Sequence, residues 1–188
     1  MNDLNNVYQS TQVDYEDDGG EEMELATPGK RIAAYLINYL ISLVAAVPLI
    51  IGFYQMYKSY VISAQAGASA PDFSGASMGM IGLGSLLVLA YYIVQAVLMS
   101  KNGQSMGKRI MKIKVVDEDG DNPGFVKVVL MREVVPNLVL AFVGMIPFLG
   151  PIAQIGFWVA CLVMLFLVDR DRQTLQDMIA KTYVVDAE

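Results

Sequence analysis

Three long apolar stretches organise the chain, and every charged residue falls outside them. From Ile32 to Tyr54 there are 23 residues without a formal charge. At 1.5 Å per residue that is about 34 Å of helix, enough to cross a hydrocarbon core of about 30 Å with modest tilt. Thr27 is placed to cap this helix, and Pro28 fits its first turn, where a missing N–H costs nothing. Pro48 predicts a kink of the kind membrane helices tolerate. Tyr54, Tyr57 and Tyr60 with Lys58 follow the pattern of an interfacial belt. A second charge-free stretch runs from Met78 to Met99, and its small residues Gly79, Gly82, Gly84 and Ser85 suit close packing in lipid. The third stretch, Val134 to Val168, has 35 residues, too many for one untilted crossing and slightly few for two. Pro147, Gly150 and Pro151 interrupt it, which predicts a helical hairpin of residues 134–147 and 151–168. A single kinked, strongly tilted helix is the rival.

The segments between these stretches are of several kinds. Residues 61–78 are rich in Ala, Gly and Ser and read as a connecting loop. Within the loop 100–133, Met111 to Val116 reads as a strand ended by Asp-Gly and Asn-Pro-Gly turn chemistry. Thr182 to Asp186, in the tail 169–188, is a second short strand, and the two can pair only if loop and tail share a side of the membrane. Between them Leu175, Met178 and Ile179 fall at helical spacing, predicting a short amphipathic helix in the interface. The expected fold is therefore an all-α integral membrane protein. It is a small bundle of three or four transmembrane helices with a cytoplasmic strand pair and an interfacial helix.

Composition sharpens this reading. The 188 residues are 55% hydrophobic and only 17% charged, where a soluble domain carries about a quarter of its residues as charges. Thirteen bases and nineteen acids give a net charge of −6, but residues 1–27 alone hold eight acids and no base. That segment reads as a self-repelling, disordered tail, either solvated or available to a cytoplasmic protein partner. The remainder, residues 28–185 and the last few after them, is slightly basic. Seven bases lie between residues 100 and 133 against Lys58 alone between 55 and 78, so the positive-inside rule puts that loop and the amino terminus in the cytoplasm. The expected location is the inner (plasma) membrane, and the expected partners are the lipid bilayer and further copies of the chain. Nucleic acid is excluded for want of a basic face. With no histidine and only Cys161, the chain offers no disulfide and no zinc or haem ligand set, so no metal or cofactor is expected.

Several motifs resemble known chemical sites. Residues 101–109 (Lys-Asn-Gly-Gln-Ser-Met-Gly-Lys-Arg) look like a phosphate loop but have three residues between the glycines, and Arg109 where Ser or Thr would hold magnesium. Asp117, Asp119 and Asp121 sit at calcium-loop positions, but Asn122 replaces the glycine and Val128 the bidentate glutamate, so a turn is the plainer account. The apolar stretches hold no ionisable side chain other than tyrosine and Cys161; their amides are Asn38, Gln95, Asn137 and Gln154. These either hydrogen-bond between helices or line a polar path for a small solute or ion. Arg31, at a helix start, reads as an anchor to anionic headgroups. No nucleophile–base pair is visible, so no catalytic residue is assigned; Asp177 beside Arg172 or Lys181 reads as an ion pair.

Taken together, Arg31, the run Gly103-Gln104-Ser105-Met106-Gly107-Lys108-Arg109, the Lys-Ile-Lys-Val-Val-Asp strand and the closing Arg172–Val185 segment resemble the RDD family of bacterial and archaeal membrane proteins. The resemblance covers about residues 27 to 185. It implies a polytopic membrane protein described as a possible transporter, with some members proposed as cation/proton antiporters. The family is named for one arginine and two aspartates. Arg31 matches the arginine and Asp177 one aspartate, whereas the other place, seven residues after the arginine, holds Asn38. An asparagine cannot cycle a proton. The expectation is thus a transporter of a small solute or ion working through an oligomer, with a non-transporting membrane scaffold or adaptor as the alternative.

Overall fold

The computed structural model describes residues 23–67, 74–167 and 171–187. Most of the acidic segment, residues 68–73 of the connecting segment and Asp169–Arg170 of the tail lie outside the described residues. The chain forms two compact units, one built from residues up to Tyr35 together with those from Ala96 onward, the other from Leu36–Gln95.

The second unit is a pair of helices. Helix α1 spans Pro28–Gln65 and α2 spans Gly75–Asn102, so both run beyond the charge-free stretches that signalled them. The sequence from Gln55 to Gln65 contains no glycine or proline to stop α1, and its Ala, Gln, Met and Lys favour helix, so the expected loop begins later. Pro48 lies inside α1 without ending it. Within this unit the helices are antiparallel and approach closely at two glycines. A Cβ on Gly84 would lie 2.3 Å from the Leu49 nitrogen, and one on Gly52 would lie 2.8 Å from the Ile81 nitrogen. Both helices are long and apolar enough to cross a membrane, yet only 6% of the apolar window of α1 and 11% of that of α2 is buried. The core helix of a soluble protein would show the opposite. Outward-facing apolar side chains over such lengths suit a lipid solvent.

The first unit is built around a small sheet. Strand β1 (Ile113–Asp117) pairs antiparallel with β2 (Thr182–Asp186), Lys114 opposite Val185 and Val115 opposite Val184. Both faces are covered: Ile113, Val115 and Val184 pack with Ala26, Ala34, Met99 and Val128, while Val116 and Val185 pack with Leu25. Leu25 and Ala26, assigned from sequence to the disordered tail, are in fact buried and paired with the free edge of β2. Ala26 N–H donates to the Val184 carbonyl at 2.9 Å, and Asp186 N–H donates to that of Glu24 at 2.9 Å. An apolar Leu-Ala pair ahead of the cap gains more from the sheet edge than from solvent.

The remaining helices are shorter. A five-residue helix, α3 (Met106–Ile110), precedes β1; a π-helical segment, Val126–Val134, leads into α4 (Val135–Gly144); α5 (Leu149–Met164) returns; and α6 (Leu175–Ala180) precedes β2. Helices α4 and α5 form an apolar hairpin whose arms have 10 and 16 residues. At about 15 and 24 Å, neither arm alone matches a core of about 30 Å. The expectation of three or four crossings reduces to two long apolar helices and this shorter pair.

Gly84→Ala should destabilise the protein by about 1–3 kcal/mol, because the added methyl meets backbone on α1. Gly79→Ala, whose Cβ meets nothing within 4 Å, should be neutral or stabilising. Thermal unfolding in detergent micelles checks both; equal melting temperatures for the two variants would contradict the close approach.

Candidate functional site: a buried arginine–carboxylate cluster

Arg31 stands in the first turn of α1, fixed there by its N–H bond to the Thr27 carbonyl at 3.2 Å. Far from reaching toward headgroups, as the sequence suggested, it is 8% exposed and turned into the first unit. Its Nη1 donates to the Arg172 carbonyl at 2.6 Å and its Nη2 to the Val184 carbonyl at 2.9 Å. Asp171 and Arg172 both take left-handed backbone conformations, φ 51° and 52°, within the turn that offers the Arg172 carbonyl to Arg31. The same Nη1 lies 3.6 Å from Oδ2 of Asp177.

Asp177 is fully buried, and local chemistry fixes it. Thr174 caps α6, its Oγ1 accepting from Asp177 N–H at 3.3 Å, while Asp177 Oδ2 accepts from Thr174 N–H at 3.1 Å and Oγ1 at 3.0 Å. This reciprocal capping box holds the carboxylate rigid. Its other oxygen, Oδ1, is 2.7 Å from Nη2 of Arg132. The partners of Asp177 are thus Arg31 and Arg132, and not the Arg172 or Lys181 expected from sequence; Lys181 lies 3.9 Å from Glu118.

Arg132 sits in the π-helical segment. Pro136 lacks the N–H that would bond the Arg132 carbonyl in an α-helix, and its ring crowds that carbonyl, so a widened turn just before it is a natural response. At about 4.4 residues per π-helical turn, Val128 and Arg132 share a face, and both are buried. This arginine is the functional candidate that sequence reasoning missed. The signal available was a charged pair, Arg132-Glu133, embedded between Val126–Met131 and Val134-Val135.

The Gly-Gln-Ser-Met-Gly-Lys-Arg run supplies the fourth member. Gly103, at φ 63°, ends α2 with its N–H on the Met99 carbonyl and accepts Val115 N–H, each at 2.9 Å; a Cβ here would lie 2.3 Å from the Val115 oxygen. Gln104 Nε2 donates to the Ile113 carbonyl at 3.1 Å, and Ser105 caps α3, accepting from Lys108 N–H at 3.3 Å. Gly107 is buried, and Arg109 is exposed. The run is a bracket that docks β1 and delivers half-buried Lys108 to the cluster. Burial, reinforced by Arg132 and Arg31 and opposed by Asp177 and Glu133, pulls the Lys108 ammonium down to about 7. For Asp177 burial acts upward, but Arg132, Arg31, Lys108 and the Thr174 N–H outweigh it and hold the carboxyl below its ordinary range.

The other sequence candidates lie elsewhere. Within the second unit Gln95 Nε2 donates to Asn38 Oδ1 at 3.1 Å and to the Tyr91 hydroxyl at 2.9 Å, and that hydroxyl donates to the Asn38 carbonyl at 2.8 Å. Asn137 is exposed and donates to the Glu133 carbonyl at 2.7 Å, and Gln154 is exposed on α5. Asp117 Oδ1 accepts the N–H groups of Asp119 and Asp121 at 3.2 and 3.0 Å, while Oδ2 lies 3.1 Å from Lys127 Nζ, which makes that acidic run a closed turn. On α6 the buried side carries Asp177 and Ala180, while Met178 and Ile179 face outward, about half exposed.

The sequence model of the RDD family matches residues 25–181, the greater part of the chain and all of the cluster. The chain belongs to the RDD family. No curated protein and no solved structure matches it. In this RDD protein the arginine and the tail aspartate implied by the resemblance, 146 positions apart, meet in one buried ion pair.

Asp177→Asn should cost about 3–5 kcal/mol, because it leaves two buried guanidinium groups without a counter-charge. The contribution of the carboxylate is present above its unfolded pKa of about 4 and is lost as pH falls through the lower folded value, so native and variant stabilities should converge in acid. Lys108 has the opposite sense. The penalty for burying its charge is complete below about pH 7 and fades as pH rises toward the unfolded value, so Lys108→Met should raise the melting temperature at pH 6 and much less at pH 9.5. Melts of the three proteins from about pH 3 to about pH 9.5 test both signs.

Proposed function

We propose that this RDD protein is an integral membrane protein that moves a small solute or ion through an oligomeric assembly, with both ends of the chain in the cytoplasm. The observation that carries the reading is the buried cluster of Arg31, Arg132 and Asp177 beside Lys108, set at the start of a helix long enough to cross the bilayer. Buried ionisable groups with displaced titration are commonly functional, and this cluster adjoins the start of the span. Two helices with outward apolar faces enclose no path by themselves, so the path would lie between copies of the chain. One observation favours the adaptor alternative: Asn38, Tyr91 and Gln95 bond to one another within the span. An adaptor would recruit a cytoplasmic partner through the acidic segment and the basic loop.

Flux in proteoliposomes under imposed Na⁺, K⁺ and proton gradients decides between them. The native chain should dissipate at least one gradient faster than empty vesicles do. Asn38→Asp, which places a titratable carboxyl beside Gln95, should change the rate and make it steeper with pH. Rates equal to empty vesicles for every ion would overturn ion transport and leave a neutral solute as cargo or the adaptor.

A further inference from the structure

The cluster carries more positive charge than its carboxylates balance, and it leaves polar atoms of both kinds unpartnered, since Asp177 Oδ1 and Asp186 Oδ1 lack a hydrogen bond as well as guanidinium nitrogens of Arg132 and Arg31. Arg31, Lys108, Arg132 and Arg172 face Asp177, Glu133 and Asp186, and Asp186 is already engaged by Lys30 Nζ at 2.6 Å. Arg132, with a side chain 7% exposed, leaves Nε and Nη1 without a hydrogen-bond acceptor, and Arg31, 6% exposed, leaves Nε without one. A buried guanidinium N–H without an acceptor is expensive, and native structures seldom leave several such groups together. Lys108, half-buried beside them, makes no side-chain ion pair or hydrogen bond among the described residues. Donors from three separate segments of chain converge here, an arrangement suited to a group with several oxygens pointing in different directions.

We propose that this cluster is an anion seat and that a phosphate group occupies it, accepting from the unpartnered N–H groups of Arg132 and Arg31 and pairing with Lys108. The shared chemistry is that of a phosphate monoester or free phosphate, and two sources present it. A lipid headgroup fits the setting: Arg31 immediately precedes the apolar run of α1, and Met178 and Ile179 next to Asp177 on α6 present apolar surface outward. Inorganic phosphate from the aqueous side would satisfy the same donors. The free N–H groups are shielded from solvent, so seating requires the π-helical turn beneath Arg132 to shift; such turns are rare, depart from the regular helix and are frequent at functional sites. The proposal takes only the membrane setting from the transport reading, and it stands or falls on binding, whatever the flux assay returns.

The test uses the full chain purified in detergent, titrated with inorganic phosphate, and in parallel the chain in nanodiscs of phosphatidylcholine with and without phosphatidic acid. Binding is read by melting temperature and by ³¹P line broadening. The native chain should respond saturably in at least one arm, and the arm that responds identifies the source. Lys108→Gln, which removes a cation without opening an ion pair, should weaken the response at least about tenfold. Lys101→Gln, an exposed cation on α2, should leave it unchanged. Absence of a response in both arms overturns the proposal, as does an equal response from the native chain and Lys108→Gln.

Discussion

Asp177 accepts from the first turn of its own helix through one carboxylate oxygen and meets Arg132 through the other, with Arg31 close beside it. That single buried carboxylate joins the start of α1, the π-helical segment before α4 and the cap of α6. Arg31 extends the connection, since its other hydrogen bonds end on the carbonyls of Arg172 and Val184, one in the tail turn and one in β2. The segments so joined lie more than a hundred residues apart at the extremes. A buried ion pair of this kind is a weak source of net stability, since desolvation offsets most of the attraction. Its stronger consequence is specificity. Any arrangement that separates these groups leaves a bare charge in a low-dielectric interior.

The polar groups divide cleanly between the two units. In Leu36–Gln95 two amides and a tyrosine form one hydrogen-bonded set, Asn38 to Gln95 to Tyr91. In the other unit the interior holds full charges, and the sheet exists largely to position them. Val184 contributes its side chain to the core and its carbonyl to Arg31, while β1 is locked by Gly103 and Gln104 so that Lys108 follows one helical turn later. Structural and chemical roles fall on the same short motif. The motif failed as a phosphate loop in sequence because its backbone is used to brace a strand.

What sequence could show depended on the range of the interaction. Charge-free runs reveal membrane helices because lipid acts on each residue alone, and β1 and β2 were visible as short apolar runs bounded by turn residues. The capping box at Thr174 and Asp177 spans four residues and is equally local. Arg132 was counted only among the bases of a loop, because nothing within ten residues of it shows that its counter-charge is 45 positions away. The helical spacing of Met178 and Ile179 marks α6 and its outward apolar face, but it says nothing of the opposite side, which a charged residue, Asp177, takes once two arginines arrive. Helix α1 continued past Tyr54 because nothing in its sequence stops it, even after the apolar run ends.

Asn38 carries the remaining step. At this position an aspartate would accept the same hydrogen bond from Gln95 but would place a charge in an apolar span with no basic residue in its own unit other than Lys58, near the far end of α1. Asparagine keeps the acceptor and removes the ionisation, which leaves the helix pair fixed in one polar register at all pH values. Among the described residues Lys108 and Asp177 are two whose titration burial and neighbouring charge displace. Protonation of Lys108 adds a cation to a cluster already rich in them, and any anion that enters restores it toward its ordinary range. Charge state and the binding of any anion here would be linked by the same electrostatics, since both act on the Arg132–Asp177 pair.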